Sequence, residues 1–228
     1  MRGLLLPVKD LKNAKKRLMG VLSAEERFEL AAAMLQDTIR AVQGVKCADK
    51  IFVVTTYEPA MRVAEENGWE ILREDHQISE SDSVDTASRL CALRGVTRML
   101  RIPLDVPLVQ ASDIDDLLAV ECEEPALVIV PSRDGTGTNA ILRMPPALFP
   151  SHFGMGSFAK HVGEAERLGA HVIFRRSPRL EMDVDDEADL RALLKNDLNG
   201  TETGRWLVDS GVAARFRSQP KAGAMSAG

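Results

Sequence analysis

The sequence predicts an α/β fold built on a mostly parallel sheet, and three observations carry that reading. Short apolar runs alternate with longer segments of helical period, the pattern of strands joined by crossover helices. A length of 228 residues suits one compact domain, and 45% hydrophobic with 28% charged content is enough to build a core without staples. The three cysteines, Cys47, Cys91 and Cys122, are odd in number and lack CxxC spacing, so neither a disulfide framework nor a zinc knuckle replaces that core.

The first strand runs from Gly3 to Val8 and a polar loop follows to about Leu22. Ser23-Ala24-Glu25-Glu26 is a capping box, and Phe28, Ala32, Leu35, Ile39 and Val42 recur on one helical face before Gly44 stops the helix. Lys50 to Thr56 reads as a buried strand, Pro59 and Gly68 bracket a short helix, and Glu70 to Arg73 is a third strand. A helix over about Ser83 to Gly95 precedes a strand from Thr97 to Pro103, and Ser112 is the expected cap of the next helix. Leu127 to Pro131 and Ala140 to Arg143 read as strands around a Gly/Thr-rich loop. A helix from about Ser157 to Leu168, a strand from His171 to Phe174 and a helix capped by Asp186 complete a domain over residues 1–200. Residues 201–228 are expected to form a C-terminal segment, with a helix near Arg205 to Phe216 and a disordered tail from Ser218. There is no internal repeat.

The formal net charge of −5 argues against a protein that coats nucleic acid or an anionic membrane. No apolar run approaches the roughly 18 residues that span a bilayer, and MRGLLLPVKD turns charged too soon for a signal peptide, so a cytoplasmic protein is expected. The average conceals a local exception. Lys9, Lys12, Lys15, Lys16 and Arg17, with Asp10 the one acid among them, follow the first strand. Ligands of open α/β sheets bind at carboxyl ends of strands, so a basic loop there suits a polyphosphate; the plainer alternative is a solvated lysine-rich loop. GxxxxGK[ST] is absent, which excludes a Walker-type ATPase.

Asp105 sits just past a buried strand in Ile-Pro-Leu-Asp-Val-Pro-Leu, between two prolines that restrict the chain. Asp183 and Asp185 flank Val184, so an extended backbone turns both carboxylates to one side. Like charges so close repel unless a cation or solvent intervenes, and a hard divalent ion such as magnesium answers that need. The alternative is that both cap the following helix. Asp134-Gly135-Thr136-Gly137-Thr138-Asn139 offers backbone amides to an anion or makes a hairpin turn. Phe153-Gly154-Met155-Gly156-Ser157-Phe158 brings a glycine-rich approach to a helix start, an arrangement suited to a phosphate or carboxylate as well as to a simple N-cap. His161 lies one turn beyond Ser157; a lone helical histidine is more often a surface or packing residue, and the four histidines lack zinc-ligand spacing.

Leu6-Pro7-Val8-Lys9 with Ala14-Lys15-Lys16-Arg17-Leu18, the Asp105 segment, Gly137-Thr138-Asn139-Ala140, Phe153 to Phe158 and Met182-Asp183-Val184-Asp185 together resemble the guanylyltransferase family of coenzyme F420 biosynthesis. That family includes 2-phospho-L-lactate and phosphoenolpyruvate guanylyltransferases, and the resemblance covers about residues 1 to 195. It implies a Rossmann-like, glycosyltransferase-A-like fold with a mixed sheet, GTP, Mg²⁺ and a three-carbon phosphoacid acceptor. Lys9, Lys15 and Arg17 would then meet the GTP phosphates. Asp105, Asp183 and Asp185 would hold Mg²⁺, and Thr138, Gly154 and Ser157 would hold the acceptor. Lys15, Arg17 and Asp105 would be the catalytic set.

One stretch departs from the pattern. Relatives commonly carry Gly-Leu-Asn where this chain has Ser83-Val84-Asp85, so Asp85 would stand in for the Asn that meets the nucleotide, although its charge opposes phosphate. Two other functions compete. A molybdopterin cytidylyltransferase would need an LxGGxSxRxG first loop, which is absent, and a non-catalytic GTP-binding regulator would bind GTP without releasing pyrophosphate. A homodimer through a sheet edge or the Arg205 to Phe216 segment is a further expectation.

Overall fold

A computed structural model describes residues 1–74 and 78–218. Seven strands, β1 (Arg2–Val8), β2 (Lys50–Thr55), β3 (Glu70–Arg73), β4 (Arg98–Arg101), β5 (Ala126–Pro131), β6 (Thr138–Met144) and β7 (His171–Phe174), form one sheet in the order β3-β2-β1-β4-β6-β5-β7. All pairings are parallel except those of β6, which runs antiparallel to both β4 and β5. The expected mixed, mostly parallel α/β sheet is therefore the observed one.

The chain moves outward from β1 to β2 and β3, then returns to place β4 on the other side of β1. That reversal leaves a crevice beyond the carboxyl ends of β1 and β4, where open α/β sheets bind ligands. Because β6 is antiparallel, its first residues, Thr138 and Asn139, come to the same end of the sheet.

Period-two alternation fills both faces. Leu4, Leu6 and Val8 of β1 pack with Val53, Leu100 and Ile102 on one side, while Leu5 joins Phe52, Val54 and Leu72 on the other. Burial on both faces explains why the strand reads as a continuous apolar run. Helices α1 (Ala24–Gln43), α2 (Glu58–Glu66) and α4 (Ala111–Leu118) contribute to the first layer. Helices α3 (Glu80–Leu93) and α5 (Ser157–Arg167) close the second.

The Ser23 capping box and the Gly44 stop of α1 are present, and Leu35 and Val42 are buried as expected, but the buried face is wider than the expected stripe and shifted from it. Leu30, Met34 and Ala41 are buried while Phe28 is exposed. The helix is covered on two sides, by the sheet and by the end of the chain, so its apolar arc is wider than one stripe. Helix α3 starts at the Ser79 cap, earlier than expected, leaving Ser83 buried inside it. Gln110 rather than Ser112 caps α4, its backbone amide donating to Asp113 Oδ2.

The end of the chain forms three helices, α6 (Glu187–Leu193), α7 (Glu202–Asp209) and α8 (Val212–Ser218). Asp186 caps α6 as expected, whereas the single helix expected over Arg205 to Phe216 is broken at Gly211, which takes a positive φ of 73°. Leu207, Val212 and Phe216 share a core with Leu18, Leu30, Met34, Val184 and Leu190. Each such side chain contributes on the order of 1.5–3 kcal/mol on burial, so residues 201–218 pack as part of the same domain rather than hang from it. The expected disordered tail lies, past Ser218, outside the described residues. Among the described residues no helix is long and apolar enough to cross a membrane.

Candidate active site

The crevice at the reversal point is a cleft of about 1170 Å³. Lys9, Lys15, Arg17, Asp105, Thr138, Gly154, Ser157, Asp183 and Asp185 all line it, so the structure gathers nine of the ten residues singled out from sequence. Lys9 follows β1, Asp105 follows β4, and Thr138 opens β6. The topology brings them together, not their spacing in the chain.

Two short 3-10 turns, Leu11–Asn13 and Lys16–Leu18, fold the cationic loop back over the cleft, and Lys15 joins them with φ 53°, the one non-glycine in the left-handed region among the described residues. Its ammonium lies 2.7 Å from Asp105 Oδ2 and 3.0 Å from Asp185 Oδ1, and its side chain is only 8% exposed. Burial disfavours that charge, but the carboxylates of Asp105 and Asp185 outweigh it and hold the lysine pKa above its ordinary value. Burial likewise disfavours the charge of Asp105, and Lys15 overcomes it to hold that carboxyl below the usual range. Arg17, more exposed, comes within 3.7 Å of Asp185 Oδ2. The Val184 amide donates to the Asp105 carbonyl, pinning the Asp183–Asp185 segment beside the Asp105 loop.

Asp183 stands differently. Burial first, then the nearby charges of Asp105, Asp185 and Asp189, push its carboxyl up to about 6, against the opposing hydrogen bond from Asn139 Nδ2 at 3.1 Å. Among the described residues no three His, Cys, Asp or Glu side chains converge as a ready metal-binding set, and the Lys15 ammonium stands between Asp105 and Asp185. The donor set still suits a hard divalent cation: all three aspartates offer oxygen, and Asp183 is a carboxylate whose charge the protein leaves poorly compensated.

Hydroxyl groups line another part of the cleft wall. Thr138 Oγ1 lies 3.3 Å from Ser157 Oγ and 3.0 Å from His161 Nδ1, and all three residues are buried. Gly154 at φ 113° and Gly156 at φ 68° carry the chain into α5 through conformations that side-chain-bearing residues rarely adopt. The Asp134 loop is a hairpin turn rather than an anion cradle. Its carboxylate accepts from Ser132 Oγ and from the Thr136 amide, which lowers its pKa to about 2.

Asp85 is the residue the structure removes from the predicted nucleotide site. It faces away from the cleft, paired with Arg143 at 3.2 Å and accepting from Ser151 N at 2.9 Å and Ser151 Oγ at 2.6 Å. Arg143 is 2% exposed, so its cation is satisfied in the core, which is what an acid at this helix position is for.

Sequence reasoning missed Arg101 and Glu80, which meet each other in the cleft wall. Arg101 also lies 4.3 Å over the Phe153 ring and donates to the Thr138 and Asn139 carbonyls, while Glu80 comes within 3.9 Å of Lys9. The available signal was one charge closing an apolar strand, in Met99-Leu100-Arg101-Ile102.

A family model described as "Guanylyl transferase CofC like" matches residues 2–225. The chain belongs to this guanylyltransferase family. Family membership makes it a nucleotidyltransferase. Among its relatives, a phosphoenolpyruvate guanylyltransferase of Conexibacter woesei is 35% identical over 198 residues, covering 83% of this chain and 85% of the relative. A 2-phospho-L-lactate guanylyltransferase of Methanothermobacter thermautotrophicus is 30% identical over 219 residues, covering 96% and 93%.

Solved structures agree on the fold. A Desulfovibrio desulfuricans G20 protein named for the nucleotide-diphospho-sugar transferases superposes with a TM-score of 0.76 at 14% identity, covering 94% of this chain and 97% of that one. A nucleotidyl transferase from Methanothermobacter gives 0.59 at 14% identity, covering 92% and 99%. The cleft of this guanylyltransferase-family chain therefore sits in a nucleotidyltransferase fold.

Proposed function

We propose that this chain transfers GMP from GTP to the phosphate of a three-carbon phosphoacid, releasing pyrophosphate, as a step of coenzyme F420 biosynthesis. One observation carries the reading: a single cleft is lined by a cationic loop, three aspartates and a buried hydroxyl pair beside a glycine-rich helix start. Relatives over most of the chain named for phosphoenolpyruvate and 2-phospho-L-lactate support it.

In this reading an oxygen of the acceptor phosphate attacks the α-phosphorus of GTP in line. The new O–P bond forms as the bond to pyrophosphate breaks, and pyrophosphate leaves with that electron pair. A phosphate dianion is nucleophilic at neutral pH, so no general base is required. The obstacle is the approach of two anions, and positioned cations answer it. Lys9, Lys15 and Arg17 bind and orient the triphosphate, and Thr138, Gly154 and Ser157 orient the acceptor. Asp105, Asp183 and Asp185 would hold Mg²⁺, which when bound offsets charge on the phosphate oxygens.

The test is a pyrophosphate-release assay that crosses GTP, ATP and CTP with 2-phospho-L-lactate, phosphoenolpyruvate and 3-phosphoglycerate, with mass detection of the adduct. Turnover with GTP and one phosphoacid is expected. A CTP adduct instead would move the chain to the cytidylyltransferases, and GTP binding without any adduct would make it a regulator.

A further inference from the structure

His161 is fully buried on α5, one turn past Ser157, with the rings of Phe153 and Phe149 centred 5.1 and 5.9 Å away. Both ring nitrogens are engaged. Nε2 lies 2.8 Å from the backbone nitrogen of His152, and a backbone amide can only donate, so Nε2 presents its lone pair. Nδ1 lies 3.0 Å from Thr138 Oγ1. Burial, reinforced by the charges of Arg143, His152 and Arg101, lowers the imidazole pKa to about 3, so the ring is neutral at physiological pH. A neutral imidazole with a bare Nε2 must carry its proton on Nδ1. The Nδ1–H therefore donates to Thr138 Oγ1.

This decides how the hydroxyl pair faces the cleft. Thr138 and Ser157 hold two hydroxyl protons between them, with their oxygens 3.3 Å apart. Neither proton is spent on the imidazole, because the imidazole is itself the donor. One proton can bridge the two hydroxyls, and the other is left for whatever occupies the cleft. The opposite tautomer would consume a hydroxyl proton and turn lone pairs toward the ligand.

We propose that His161 is a positioning residue that commits the Thr138–Ser157 pair to donate into the cleft, so that this part of the wall selects an anionic oxygen, of a phosphate or a carboxylate, over a hydroxyl that must itself donate. That the anion belongs to the acceptor rests on the function proposed above; the tautomer does not.

Two measurements test it. In the free, full-length protein labelled with ¹⁵N-histidine, long-range ¹H–¹⁵N spectra, assigned with His161→Asn, should show His161 as the neutral Nδ1–H form near neutral pH. An Nε2–H ring or an imidazolium overturns the proposal, whether or not the protein turns over any phosphoacid. The kinetic arm uses two amides. His161→Asn places a donor where Nδ1 stands, whereas His161→Gln offers an acceptor to the His152 amide and no donor to Thr138. His161→Gln should raise KM for the acceptor about tenfold, the worth of one net hydrogen bond, with KM for GTP unchanged within about twofold. His161→Asn should stay within about threefold of the parent. In a Thr138→Val background, His161→Gln should add nothing further. Equal damage from both amides, or additive effects with Thr138→Val, would reduce His161 to a packing residue. Absence of all turnover in the parent protein would instead count against the proposed function and leave the spectra to decide this inference.

Discussion

Lys15 Nζ stands 2.7 Å from Asp105 Oδ2 on a backbone held at φ 53°. A left-handed conformation costs a side-chain-bearing residue on the order of 1 kcal/mol, and the double ion pair with Asp105 and Asp185 is what holds the residue there. The position asks for an ammonium more than it asks for an easy backbone, since Gly would remove the strain at once. Lys15→Gln keeps the length and deletes the charge. Turnover should fall by about 100-fold or more, as for loss of a positioned cation at a phosphoryl centre. Thermal melting should drop without divalent ions and recover with added Mg²⁺, because a second cation replaces the first. Pyrophosphate release and thermal shift measure both effects, and turnover within about threefold of the parent would sink the assignment.

Asp183 should separate activity from stability. Its carboxyl is buried and crowded by the charges of Asp105 and Asp185, and among the described residues Asn139 Nδ2 donates to it. Asp183→Asn keeps an oxygen that accepts that bond and removes the repulsion. Turnover should fall about 100-fold or more while stability in metal-free buffer holds or rises by about 1 kcal/mol. Chemical denaturation beside the pyrophosphate assay gives both readings, and full activity of the variant with magnesium would overturn the metal assignment.

Most of the sheet was legible in the sequence because strands buried on both faces read as unbroken apolar runs, as Gly3 to Val8 does. The breadth of the α1 core face was not, since it depends on α7 and α8 arriving from nearly two hundred residues away. The same distinction holds in the cleft. Lys15 and Asp105 could be picked out by residue type after a strand, and Asp185 by its pairing with Asp183 around Val184, but that Lys15 sits between Asp105 and Asp185 is a fact of the fold. Asp85 failed for the complementary reason. Nothing local announces that Arg143, on a strand fifty-eight residues later, will be buried and in need of a carboxylate.

That pair gives the sharpest test of the corrected assignment. Removing Asp85 leaves the Arg143 guanidinium, 2% exposed, without its counter-charge, and breaking a buried pair from one side costs about 3–5 kcal/mol. Asp85→Ala should therefore lower the urea midpoint strongly, with Asp85→Asn intermediate because the amide can still accept from the Ser151 amide. Where either variant remains folded, KM for GTP should stay within about twofold of the parent, as expected of a residue outside the site. A large rise in KM for GTP without loss of stability would return Asp85 to the nucleotide site.

His161 sets a pH dependence of definite sign. Above its unfolded value of about 6.5 the ring is neutral in both states and contributes no slope. As pH falls below that, the unfolded chain takes up a proton that the folded chain refuses until about 3. Stability attributable to this residue is therefore lost as the solution is acidified, at about 1.4 kcal/mol per pH unit across that window. His161→Asn cannot titrate, so its stability should fall less steeply over the same range. Urea denaturation of parent and variant from about pH 7.5 down to about pH 4.5 isolates the difference from every shared carboxylate. Parallel curves would mean that the folded protein protonates His161 as readily as water does, which would be incompatible with a bare Nε2 accepting from the His152 amide.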